Sequence, residues 1–184
     1  MFSYIQTKFI LPQTAAGLST AEGTNAIRDL FKAGNAIVEV YGEDYVAISA
    51  NAAAWAVAQS KPLVWLRLEK NDVDPGRFWT LLVMGMRQYH PEIGLTGLNT
   101  ILDHHELPAA AALEKLSREL SKFPFTFVLE GIEHICTQDW WPDFVSWLQK
   151  LTAENRFFTD ELFNHPHTAA IFNTPATAPA ERTG

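Results

Sequence analysis

Short apolar runs alternate with helix-like segments along most of this chain, and Gly or Pro punctuates the joins. This alternation narrows the fold more than any other feature of the sequence. Residues 36–41 are a β-branched apolar run, and residues 62–68 read as a proline followed by Leu-Val-Trp-Leu-Arg-Leu. Residues 125–129 are nearly all apolar, as expected of a strand covered on both faces, and residues 168–172 supply a last strand. Residues 24–33 read as a short helix ending near Gly34, and residues 48–59 as an alanine-rich one with Ala52, Trp55 and Ala56 on one face. Asp74 is placed to cap a further helix, Pro75 suits its first position, and Phe78, Leu82, Met86 and Tyr89 follow at helical spacing before Pro91. Residues 92–106 read as a loop. Pro108 opens a helix striped by Leu113, Leu116 and Leu120, and Pro142 begins one carrying Phe144, Leu148 and Leu151. Apolar strands joined through helices predict an α/β fold, a three-layer parallel sheet flanked by helices.

The chain has 184 residues, the size of one domain, predicted over residues 1–174 with a frayed Pro-, Ala- and Thr-rich tail at 175–184. At that length folding hides roughly 70% of the unfolded surface, so neither a metal nor a disulfide staple is needed. A content of 47% hydrophobic and 19% charged residues is that of a globular chain. The net charge of −7 argues against a protein that grips a phosphate backbone, so no direct nucleic-acid partner is expected. Cys136 is the one cysteine, which excludes an internal disulfide and fits a reducing compartment. The first residues lack a signal-peptide pattern, and no apolar stretch approaches the roughly 20 residues of a membrane span. A cytoplasmic location without membrane contact is the expectation.

The stretch Val64-Trp65-Leu66-Arg67-Leu68-Glu69-Lys70-Asn71-Asp72-Val73-Asp74-Pro75-Gly76-Arg77-Phe78-Trp79 is distinctive. It resembles the segment after the second strand in the ATPase domain of large LuxR-type regulators of the maltose-regulon activator kind. Those belong to the signal-transduction ATPases with numerous domains. Met86-Arg87-Gln88-Tyr89-His90-Pro91 extends the likeness, and Thr7-Lys8-Phe9-Ile10-Leu11-Pro12 resembles the lead-in to that domain. Phe125-Thr126-Phe127-Val128-Leu129-Glu130-Gly131 lies where the family has its Walker B strand, so the resemblance covers roughly residues 4 to 175. It implies a P-loop NTPase fold of the RecA or AAA kind.

The residues that would bind a nucleotide are missing from that pattern. A P-loop needs Gly-x-x-x-x-Gly-Lys-Ser/Thr, because glycine backbone wraps the phosphates, lysine neutralises them and the hydroxyl holds magnesium. The matching stretch runs from Val40 to Ala50 and includes Gly42, Glu43, Asp44, Ile48 and Ser49. Aligned through Trp55, Ile48 falls where the family has lysine, and only Gly42 and Ser49 remain as remnants. Binding ATP at micromolar affinity requires about 8 kcal/mol. A bare helix N-terminus offers about 0.3–1 kcal/mol toward an anion. A Glu43 or Asp44 carboxylate near a phosphate adds repulsion of about 4 kcal/mol per charge pair at 4 Å and an effective dielectric of 20. Otherwise the two acids sit in a solvated turn. At the Walker B position Glu130 replaces the aspartate and Gly131 the second acid, with Glu133 nearby. Phe172-Asn173-Thr174-Pro175 has no arginine after the last strand.

Other clusters carry less chemistry. His104 and His105, beside Asp103 and Glu106, fall in a loop, and His165-Pro166-His167 is spaced too closely to define a metal site. Cys136 near His134 has no third partner that the sequence identifies. Trp55, Trp65 and Trp79 fit core positions. Trp140 and Trp141 either pack over a helix start or form an exposed aromatic patch, a candidate interaction surface.

The resemblance and these gaps together imply a stand-alone pseudo-ATPase with no cofactor, metal or catalytic residue. It would act in regulation by binding another protein or itself. Two alternatives stay open. One is an atypical NTPase that uses Ser49, Glu130 and Glu133 with a partner chain. The other is a RecA-like binding protein similar in kind to bacterial SOS cell-division inhibitors.

Overall fold

The computed structural model describes residues 9, 18–32, 37–41, 44–59, 61–94, 110–123, 125–151 and 168–173. In chain order the elements are α1 (Ala21–Lys32), β1 (Ile37–Tyr41), α2 (Tyr45–Val57), β2 (Leu63–Arg67), α3 (Pro75–Arg87), α4 (Ala110–Lys122), β3 (Thr126–Glu130), α5 (Trp141–Leu151) and β4 (Thr168–Asn173). Lys70–Asp72 and Ile132–His134 form single 3₁₀ turns.

The four strands make a mixed sheet in the order β1-β4-β3-β2. β2 and β3 pair in parallel, with Leu63 opposite Thr126 and Arg67 opposite Glu130. β4 runs antiparallel to both of its neighbours, which corrects the expectation of a parallel sheet throughout. The chain enters β4 with Ala169 opposite Glu130, at the end of β3, and leaves with Asn173 opposite Thr126, at its start. The apolar content of residues 168–172 marks a strand but carries no direction, which the point of entry into the sheet decides.

Helix starts follow their caps. The Thr20 hydroxyl accepts from Gly23 N at 3.0 Å and starts α1 three residues ahead of the predicted 24. Asp44 accepts from Ala47 N at 3.0 Å and starts α2 three residues ahead of 48. Asp74 caps α3 through Arg77 N at 2.8 Å, with Pro75 in the first turn, as the sequence predicts.

Alternation along β2 and β3 divides the interior in two. Val64, Leu66, Phe127 and Leu129 join the main core with α3, α4 and α5, where Phe78, Trp79, Phe144 and Trp147 interlock edge to face. Phe9, from the lead-in, packs against this core. Trp65 and Val128 instead join Ile27 of α1 and Ala52, Ala53, Trp55 and Ala56 of α2 in a smaller cluster. α1 crosses α2 closely, since a Cβ on Gly23 would lie 2.5 Å from the Asn51 side chain. Tyr89 departs from its expected buried face: its residue is 47% exposed, and its hydroxyl donates to the Leu63 carbonyl at 2.8 Å. It lies past the end of α3, where the ring packs by its edge on Phe125.

Trp55, Trp65 and Trp79 are buried as predicted, and so are Trp140 and Trp141. The last two are therefore not an exposed aromatic patch. Trp140 donates its indole N–H to the Val73 carbonyl at 2.9 Å and stacks on Phe78, while Trp141 packs on Phe144. The start of α5 turns both rings inward, where their large apolar area leaves water.

Candidate functional site

The main polar cluster of the interior is built on Glu130, the last residue of β3. Its side chain lies on the α2 side of the sheet, two and four residues after Val128 and Thr126, and is fully buried. A buried carboxylate needs donors and a countercharge, because water no longer supplies them. Ser49, Trp65 and Arg67 are among the groups that provide them. The Ser49 hydroxyl, one turn into α2, donates to Oε1. On the second oxygen, Trp65 donates Nε1–H at 2.9 Å and Arg67 donates Nε–H at 3.0 Å. Arg67 pairs directly across the parallel ladder from Glu130, so the two strands themselves fix this ion pair.

Tyr45 closes the cluster from the first turn of α2. Burial, and next the charge of Glu130, push its hydroxyl above the usual tyrosine range, while Arg67 and a hydrogen bond with Ser49 pull the other way. For Arg67, burial works against the charged form, but the hydrogen bond and charge of Glu130, with Tyr45, outweigh it and hold the guanidinium above its ordinary value.

Ser49, Glu130 and Asp44 each have a hydrogen-bond partner within the chain. Ser49 and Glu130 touch each other directly, and Arg67 supplies the positive charge on the carboxylate. A metal ion would have to displace donors from both oxygens. At the start of α2 the Asp44 carboxylate occupies the Ala47 amide, where an anion would otherwise sit. Ile48 is buried and apolar, so it brings no cation. Gly131 has φ +76°, and a Cβ there would lie 2.5 Å from the Leu68 carbonyl oxygen, so this backbone has no room for an acidic side chain. Among the described residues no group of three His, Cys, Asp or Glu side chains is close enough to hold a metal ion.

Comparisons with family models, with curated proteins and with solved structures give no match.

Ser49 and Glu130, far apart in sequence, meet; Asp44 caps the helix beside them; Gly131 turns the chain out of β3. Glu133 lies in the following 3₁₀ turn and is not among the donors and acceptors around Glu130 described above. Gly42 and Glu43 fall outside the described residues, as do the two histidine clusters at 103–106 and 165–167. Cys136 is buried and its Sγ lies 3.8 Å from the Glu133 carbonyl oxygen. Among the described residues no helix is long and apolar enough to cross a membrane.

Sequence reasoning missed Tyr45, Trp65 and Arg67 as members of this cluster. A usable signal existed for two of them. Trp65 and Arg67 share one face of β2 by the period of two, and Arg67 is the charged residue that ends an otherwise apolar strand, as Glu130 ends β3.

Proposed function

We propose that this chain is a P-loop-like domain whose nucleotide site is closed by its own side chains, and that it acts in regulation by binding a protein partner or a second copy of itself. The observation that carries the reading is the direct contact of Ser49 with Glu130 under an arginine clamp. The resemblance implies that a hydroxyl and a carboxylate at these two positions hold magnesium between them. Here the hydroxyl donates to the carboxylate and a tethered guanidinium replaces the ion. The three-layer P-loop form belongs to the same proposal. β1, β2 and β3 run in one direction and helices pack against both faces of β2 and β3, while the reversed β4 is the departure from that pattern.

The test is thermal unfolding with millimolar Mg-ATP, Mg-ADP and Mg-GTP. A ligand present at 100 times its Kd adds about 2.7 kcal/mol of stability, roughly 2–4 °C in Tm at this size. The expected result is no shift with any nucleotide. A reproducible shift would return the atypical NTPase as the better reading. Light scattering and crosslinking then examine self-association; a monomer that captures no specific partner would leave the binding role without support.

A further inference from the structure

The two faces of the sheet are held by different physics. On one, large rings from α3 and α5 interlock: Phe78 with Phe144 at 4.8 Å between centroids, and Trp79 with Trp147 at 4.9 Å. On the other, α2 presents Ala52, Ala53 and Ala56, each of which removes little more than one methyl from water. Trp55 is the one large α2 side chain in that cluster among the described residues. α1 adds Ile27 and leaves Leu30 44% exposed, while α2 leaves Val46 and Val57 at 55% and 65%. The remaining attachment is polar: Ser49 reaches down to Glu130, whose other oxygen is held by Trp65 and Arg67 of the sheet, and Tyr45 of α2 joins the same cluster.

We infer that α1 and α2 form a releasable layer, and that the contact between Ser49 and Glu130 is the clasp that closes it on the sheet. Polar clasps and apolar faces respond differently to separation. Lifting α2 returns Glu130 and Ser49 to water, which restores much of the solvation that burial removed. Parting α3 or α5 from the sheet would expose interlocked aromatic rings with no such return. The α1–α2 layer therefore opens at a lower free energy than α3 or α5, and it opens without loss of the main core. Opening uncovers Trp65 and Val128, an apolar sheet face under a helix that is itself apolar nearly all round. This inference concerns the mechanics of the layer and stands whether or not the chain binds nucleotide.

Native-state hydrogen exchange of the whole protein, read by mass spectrometry at several sub-denaturing urea concentrations, tests it. The expected result is exchange of amides 48–56 through an opening with weak urea dependence, while amides 79–86 and 145–148 exchange only with global unfolding. Ser49→Ala removes the donor to Oε1 and is expected to speed exchange in 48–56 by about 10-fold, leaving the other two segments unchanged. Equal protection and equal urea dependence for all three segments would overturn the separate layer, and this reading needs no variant. Exchange in α2 of the Ser49→Ala protein at the wild-type rate, or an equal acceleration everywhere, would overturn the clasp.

Discussion

The Ser49 hydroxyl donates to Glu130 across 81 residues of sequence, joining the first turns of α2 to the last residue of β3 inside the protein. Around that bond the carboxylate has a donor on each oxygen and a guanidinium within 3.0 Å. Such a group is costly to bury and costly to disturb.

Arg67→Ala should destabilise the protein by about 2 kcal/mol. Removing one partner of a fully buried pair costs roughly 3–5 kcal/mol, and the 41% exposure of the Arg67 side chain reduces that through solvent screening. Urea unfolding measures it. In a Glu130→Gln background the same substitution should cost much less, and a full loss in both backgrounds would mean that the two side chains are not coupled.

Gly131→Ala should cost about 3 kcal/mol. The residue combines a left-handed backbone with a Cβ position 2.5 Å from a backbone carbonyl oxygen, which cannot move aside as a flexible side chain could. Denaturant midpoints give the answer directly, and a change below about 0.5 kcal/mol would place that loop in another conformation.

Trp140→Ala should lower stability by about 3–5 kcal/mol, as expected of an aromatic residue lost from a packed core. Only 6% of Trp140 is exposed, and its indole N–H is bonded to Val73. Trp140→Phe, which keeps a ring against Phe78 but loses the hydrogen bond, should fall between the two. A Trp140→Ala protein of wild-type stability would favour the exposed aromatic patch, which the sequence leaves open as the alternative to packing.

Stability should fall as pH rises above about 10, the ordinary tyrosine value. The hydroxyl of Tyr45 holds its proton more tightly folded than unfolded, because of burial and the nearby charge of Glu130. Its contribution is complete below the unfolded value and is lost as pH climbs through the raised folded one. Lys61 acts with the opposite sign, since burial lowers its value and the folded state gains as it deprotonates. Tyr45→Phe should therefore lessen the alkaline loss seen in Tm between pH 9 and pH 11, and an unchanged profile would contradict the position of Tyr45.

The elements were legible because their signals are local. Asp74 with Pro75 announces α3, and the nearly all-apolar run at 125–129 announces β3 almost to the residue. α2 starts one turn ahead of residue 48 because Asp44, read from the sequence as a charge near a phosphate or in a solvated turn, caps it. The sequence points to Ser49 and Glu130 as remnants of a metal site, but local spacing does not show that they are partners of each other.

The sequence alone determined where the strands and helices fall and that no Gly-x-x-x-x-Gly-Lys-Ser/Thr run is present, because both depend on spacing and residue type over a few positions. Tertiary structure alone decided that β4 runs backwards, that Trp140 and Trp141 turn inward, and that Arg67 faces Glu130. Those outcomes depend on which segments meet in space, and a period of two or of 3.6 residues carries no information about the partner on the other side.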